Sequence, residues 1–212
     1  IKKDKFQTII SRNLTDDRVF GVMSHHNIDE FFNHAKIEEI KKKIEITEEK
    51  IIVIYGVAAS IIYSPDIIIY ADLARWEIQQ RYRSKEIANW GSDNYDEDVL
   101  RKYKRSFFFE WRVADRHKIE IFDKINYLLD TNKKDNPKMI TGTAFRGGLK
   151  QAVQKPFELI PYFDPGPWGG HWMKEVCDLD KNMPNSAWCF NCVPEENSMY
   201  LEYGEIKIEI PS

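Results

Sequence analysis

Five arginines, Arg75, Arg81, Arg83, Arg112 and Arg116, are the side chains of this sequence whose type and spacing best suit ligand chemistry. A guanidinium presents a planar fork of N–H donors that matches phosphate oxygens two at a time, and it stays charged at any physiological pH. Arg75, Gln79 and Arg83 recur every four residues, so on a helix they share one face. Ala74, Ile78 and Tyr82 make the next face, and Glu77 and Arg81 form an i,i+4 pair. Phosphate capture competes here with a solvated helix face laced with ion pairs, the commoner outcome of such a pattern.

Other reactive side chains form no complete constellation. His25, His26 and His34 invite a metal, but no carboxylate or thiol is spaced to complete a tetrahedral set, so surface and capping roles fit them better. Cys189-Phe190-Asn191-Cys192 has half of a zinc site's spacing and lacks a second pair. Glu195 and Glu196 could act as paired carboxylates in acid–base work, although a turn or strand edge explains them more simply. Gly142-Thr143-Ala144-Phe145-Arg146-Gly147 has the glycine spacing of a phosphate-cradling loop, but Gly148 stands where that loop requires lysine. Thr143 instead reads as the N-cap of a helix running to about Gln154.

The elements that must position these residues centre on residues 50–83. An apolar strand over 51–55, a small-residue turn Gly56-Val57-Ala58-Ala59-Ser60, a second apolar strand over 67–70 and, after Asp72, a helix describe a layered α/β domain. β-Branched runs without polar alternation belong to strands buried on both faces, hence to a parallel sheet covered by helices. Residues 1–49 read as helical and charged. There Phe31-Phe32 can dock on a sheet, and Ile37, Ile40 and Ile44 form an amphipathic stripe. A polar loop over 91–98 leads into a helix carrying Val99, Tyr103 and Ser106. Phe107-Phe108-Phe109-Glu110-Trp111-Arg112 follows; interleaved with bases it could stack single-stranded nucleic acid, but contiguous aromatics more simply form core. Asn126-Tyr127-Leu128-Leu129-Asp130 reads as a strand. After Lys155 prolines and glycines punctuate short apolar segments, which places a boundary there and a β-rich module beyond it.

Composition sets outer bounds. Hydrophobic residues make up 42% and charged residues 31% of the 212, so the chain can bury a core. The 31 basic and 34 acidic residues are well mixed and leave a net charge of −3, which argues against nucleic acid as a partner. No apolar run approaches the roughly 18 residues of a membrane span. Three cysteines fit reduced thiols, and a cytoplasmic location is expected. The first residue is not Met and the last lies just past an apparent strand, so both ends read as cut from something longer.

Two family resemblances emerge. Residues 50–132, with strand, glycine turn, strand, Asp72, arginine-bearing helix and closing strand Tyr127-Leu128-Leu129-Asp130, resemble the later half of uridine-kinase-like nucleoside or nucleotide kinases. That resemblance implies a three-layer P-loop-kinase-like parallel sheet with flanking helices over residues 1–155, without the Walker lysine loop. Pro161-Tyr162-Phe163, Pro167-Trp168-Gly169-Gly170-His171-Trp172-Met173, Trp188 and Pro194-Glu195-Glu196-Asn197-Ser198 resemble the opening of class I mannose-6-phosphate isomerase-like cupins. The junction of the two resembles the long bacterial members of that family. It implies that residues 156–212 open a cupin, and that the full-length family interconverts mannose 6-phosphate and fructose 6-phosphate on zinc. The zinc ligands of that family fall on no residue of this sequence. A sugar phosphate or a nucleotide is the expected small-molecule partner, and a non-catalytic binding or assembly module is the alternative to an isomerase part.

Overall fold

A computed structural model describes residues 3–17, 19–152, 154, 159–161, 178, 190–192, 198–203 and 205–211. The chain is mixed α/β and divides into two compact units, one of Ile1–Tyr70 with Gln79–Asn126, the other of Ala71–Ile78 with Tyr127–Ser212.

The first unit is helical. Its elements are α1 (Lys3–Leu14), α2 (His34–Glu45), α4 (Val99–Arg105) and α5 (Trp111–Ile121), with short 3-10 turns at Ile28–Phe31 and Ala59–Ile61. Asn33 caps α2 by accepting from Lys36 N, and Asp98 caps α4 by accepting from Leu100 N at 2.9 Å, as the acidic end of the 91–98 loop leads one to expect. Between α4 and α5 the rod widens into a π turn, Ser106–Glu110, in which Trp111 N donates to Ser106 O five residues back.

This turn delivers Phe109 into the core. Phe6, Ile10, Ile28, Phe31, Phe109 and Val113 are buried together, with Trp90 packed against them. Trp90 stacks on Phe109 at 6.1 Å between centroids, while Phe6 meets Trp90 and Phe109 edge-on at 5.1 and 5.6 Å. Such offset and T-shaped pairs satisfy the ring quadrupoles as well as burying area. The aromatic run is thus core at Phe109 and Trp111, whereas Phe107 is exposed.

The sheet β1-β2-β3 is made of Ile69–Asp72, Tyr127–Asp130 and Lys138–Thr141, of which all but Ile69 and Tyr70 fall in the second unit. Asn126 N donates to Ile68 O and Thr131 N to Asp72 O, so β1 and β2 run parallel. β2 and β3 are antiparallel, with Tyr127 opposite Thr141 and Asp130 opposite Lys138. The sheet is therefore small and mixed. Helix α3 (Arg75–Arg83) follows β1, and α6 (Gly142–Ala152) follows β3. Farther on, β4 (Leu159–Pro161) pairs antiparallel with β5 (Phe190–Cys192), and β6 (Ser198–Tyr203) with β7 (Ile206–Pro211).

Two local expectations are corrected. Residues 51–55 are not a buried sheet strand: Ile51, Val53 and Tyr55 are exposed, and among the described residues the segment joins no sheet. Preference for extended backbone does not supply a neighbouring strand. The hydroxyl at the start of α6 is that of Thr141, which accepts from Ala144 N at 3.2 Å, because the helix begins at Gly142 and leaves Thr143 inside it.

Candidate functional site

Where two parallel strands end side by side, backbone N–H groups, turn residues and the start of the next helix converge, which is where α/β sheets bind ligands. β1 and β2 end at Asp72 and Asp130, both buried, at 7% and 5% exposure. Short side chains tie the two ends together. Asp72 O accepts from Thr131 N at 3.0 Å and from Thr131 Oγ1 at 2.6 Å. Asp130 Oδ1 accepts from both the backbone N and the Nδ2 of Asn132, at 2.9 and 2.8 Å. Asn132 Oδ1 in turn accepts from Ala74 N at 2.7 Å, and Ala74 O accepts from Ile78 N to start α3. Arg75, half-buried, is the first residue of that helix. Two carboxylates and a guanidinium thus lie within a few residues of the strand ends.

The other arginines belong to the helical unit. Arg81 is half-buried; Arg83 is exposed, donating from Nε to Tyr103 Oη at 2.6 Å and lying 5.8 Å from that ring's centroid. Arg112 approaches Asp115 at 3.4 Å and lies over Phe107. Arg116 donates to the carbonyls of Ser24 and His26, from Nη2 at 2.8 and 2.7 Å and from Nε to His26 at 3.1 Å, fastening that loop to α5.

The helical unit also holds a buried polar cluster that sequence reasoning missed. Glu110 Oε1 accepts from Trp90 N at 2.9 Å and from Arg105 Nε at 3.1 Å. Its Oε2 accepts from Asn89 Nδ2 at 2.9 Å, Ser106 Oγ at 3.0 Å and Tyr82 Oη at 3.2 Å. Burial pushes the Glu110 carboxyl above its ordinary value, with Asn89, Arg105 and Ser106 pulling the other way. Burial, reinforced by the Glu110 charge, likewise raises the Tyr82 phenol. Lys102, also buried, donates to Tyr95 O at 2.5 Å and lies over the Tyr82 ring. A lone Glu inside an aromatic run was the available signal, since a carboxylate there must find donors or stay protonated.

Ser60 Oγ lies 3.0 Å from His117 Nε2, and His117 Nδ1 lies 3.5 Å from Glu120 Oε2. The first contact is a hydrogen bond joining the 3-10 turn to α5. The second is too long to orient the ring as a catalytic carboxylate would. His26 is engaged with Glu30 at 2.7 Å inside a capping box, where Glu30 also accepts from Asn27 N. His171, Cys189, Glu195 and Glu196 lie outside the described residues.

A family model described as a domain of unknown function, DUF8485, matches residues 1–154. The chain belongs to the DUF8485 family. No curated protein and no solved structure matches it. Among the described residues no group of three His, Cys, Asp or Glu side chains is placed to hold a metal ion, so the zinc implied by the isomerase resemblance finds no ligand set among them. No helix among them is long and apolar enough to cross a membrane.

Proposed function

We propose that this chain is part of a mannose-6-phosphate isomerase-like protein, and that its α/β portion binds a phosphorylated small molecule, a sugar phosphate or a nucleotide, without transforming it. In this reading β1, β2 and α3 are the surviving elements of a P-loop-kinase-like layered sheet. Residues 156–212 open a cupin whose zinc site is completed elsewhere in the full-length protein, in the cytoplasm.

One observation carries the binding role: parallel strands end together at Asp72 and Asp130, with Arg75 opening the helix that follows. In α/β sheets ligands bind beyond the carboxyl ends of parallel strands, and the Arg75 guanidinium would supply the charge a phosphoryl group requires. Arg81, Arg83, Arg112 and Arg116 belong to the helical unit and carry no part of this reading. The isomerase relationship rests on the Trp168-Gly169-Gly170 segment and its neighbours.

The test of that relationship uses the native polypeptide, its intact mass compared with the 25.1 kDa of these residues. A longer polypeptide should isomerise mannose 6-phosphate with added zinc while the 212-residue chain alone does not. Turnover by the short chain, or a longer polypeptide inert with zinc, would overturn it.

A further inference from the structure

The 3.0 Å contact between Ser60 Oγ and His117 Nε2 joins residues 57 positions apart, both within the helical unit. An alcohol in reach of an imidazole nitrogen meets the first requirement of a serine nucleophile, which attacks only as its proton leaves. The next requirement is that Nε2 be the nitrogen without a hydrogen. His117 Nδ1 is buried and, among the described residues, has no hydrogen-bond partner. Glu120 Oε2 stands 3.5 Å from it, too far to clamp the ring but near enough for its charge to favour a proton on Nδ1. That tautomer leaves the Nε2 lone pair to the Ser60 hydroxyl. The Glu120 side chain is 60% exposed and so is free to swing toward the ring as an imidazolium forms.

The turn that presents Ser60 is strained. Ala58 has φ 55° and ψ 32°, the left-handed region in which a Cβ crowds the backbone, and Gly56 has φ 125°. Such strain persists only where the surroundings impose it, and it gathers at reactive sites. Here Ala58 and Ile61 pack against the aromatic core. Among the described residues the N–H groups of Val57 and Ala58 have no acceptor, so the same turn keeps donors for an oxyanion.

We propose that Ser60 is an acyl-accepting nucleophile, with His117 as its general base and Glu120 as the residue that positions the ring, acting on esters of small uncharged acyl groups. Ser60 is flanked by Ala59, Ile61 and Ile62, all half-buried, surroundings that suit an apolar acyl group and oppose a charged one. Ser60 Oγ bonds to the acyl carbon as its proton passes to His117 Nε2. The ester C–O bond breaks, and the departing alkoxide takes that proton. Water then attacks the acyl carbon, giving a proton to Nε2 that returns to Ser60 as the acyl–Oγ bond breaks. Ester and water thus become acid and alcohol. This role is separate from phosphate recognition at the ends of β1 and β2.

The test treats the whole 212-residue chain with p-nitrophenyl acetate and, separately, with a fluorophosphonate. Peptide mass spectrometry should find the acetyl or phosphonyl group on Ser60 ahead of every other serine, and nitrophenolate should appear in a burst that Ser60→Ala abolishes. His117→Gln keeps a side chain able to bond the hydroxyl but removes the base, and should slow acylation by about a hundredfold. Because replacing a buried ring can unfold the chain, Glu120→Gln supplies an independent reading. At an exposed side chain it should leave the melting temperature unchanged and still slow acylation several-fold, which a merely structural Ser60–His117 tie would not do. An unlabelled Ser60, or one labelled no faster than other serines, overturns the proposal; equal rates in the wild type and Glu120→Gln overturn the role of Glu120.

Discussion

Arg105 donates from Nε to Glu110 Oε1 at 3.1 Å although the two stand five residues apart on one helical rod. In a regular α-helix that separation turns the side chains about 140° apart around the axis. The π turn Ser106–Glu110 removes the discrepancy and brings both onto one face. Both side chains are nearly buried, at 7% and 10% exposure, so the pair lies in a low-dielectric setting where loss of one partner strands the other. Glu110→Gln should destabilise the protein by about 3 kcal/mol in denaturant titration, because the amide N–H₂ would face donors and Arg105 would lose its counter-charge. A change within experimental error would mean that the cluster reorganises freely.

The same carboxyl makes a pH prediction. Its folded value is raised above the 4.5 of the unfolded chain, so between those two values the folded state holds more protons. Stability then falls as pH rises from about 4.5 through the folded value. Glu110→Gln should flatten that descent in urea midpoints measured across pH, and an unchanged slope would contradict the assignment.

Glu30 acts in the opposite sense. Asn27 N and then His26 hold its carboxyl below the ordinary value, so its stabilising contribution is present above pH 4.5 and fades as pH falls through the folded value. The residue is largely solvated, so the effect is small. Glu30→Gln should mainly loosen the 3-10 turn at Ile28–Phe31, read as faster amide exchange at Asn27.

Gly21 is required by close approach. A Cβ there would lie 2.5 Å from the Asn13 carbonyl oxygen and 2.8 Å from the Phe108 ring. Gly21→Ala should therefore cost about 1–3 kcal/mol, the range for forced overpacking, visible as a lowered melting temperature. Neutral behaviour would mean that this loop shifts at little cost.

What could be read in advance was what local chemistry decides. Helix α3 after Asp72, strand β2 and the Asp98 cap follow from short-range pattern, and each is found. Residues 51–55 show the limit, because β-branched side chains state a conformational preference while the existence of a neighbouring strand is a property of the whole chain. The Glu110 cluster was hidden for a related reason. Its donors Tyr82, Asn89, Trp90 and Ser106 come from separate segments, and an i,i+5 ion pair has no meaning under the α-helical period. In the candidate site Arg75 was legible as a cation on a helix. Its placement beside the ends of β1 and β2 depends on strand pairing, and so does the Asn132 bridge between Asp130 and Ala74.

The binding role is tested most directly by thermal unfolding of the 212-residue chain with mannose 6-phosphate, ATP or UTP, against the unphosphorylated sugar and nucleosides. At a hundredfold excess over the dissociation constant, a phosphorylated ligand should raise the melting temperature by roughly 5–10 °C. That rise should vanish in Arg75→Ala and persist in Arg116→Ala, provided the latter still folds. Equal or absent shifts for phosphorylated and unphosphorylated compounds would contradict phosphate recognition at the ends of β1 and β2.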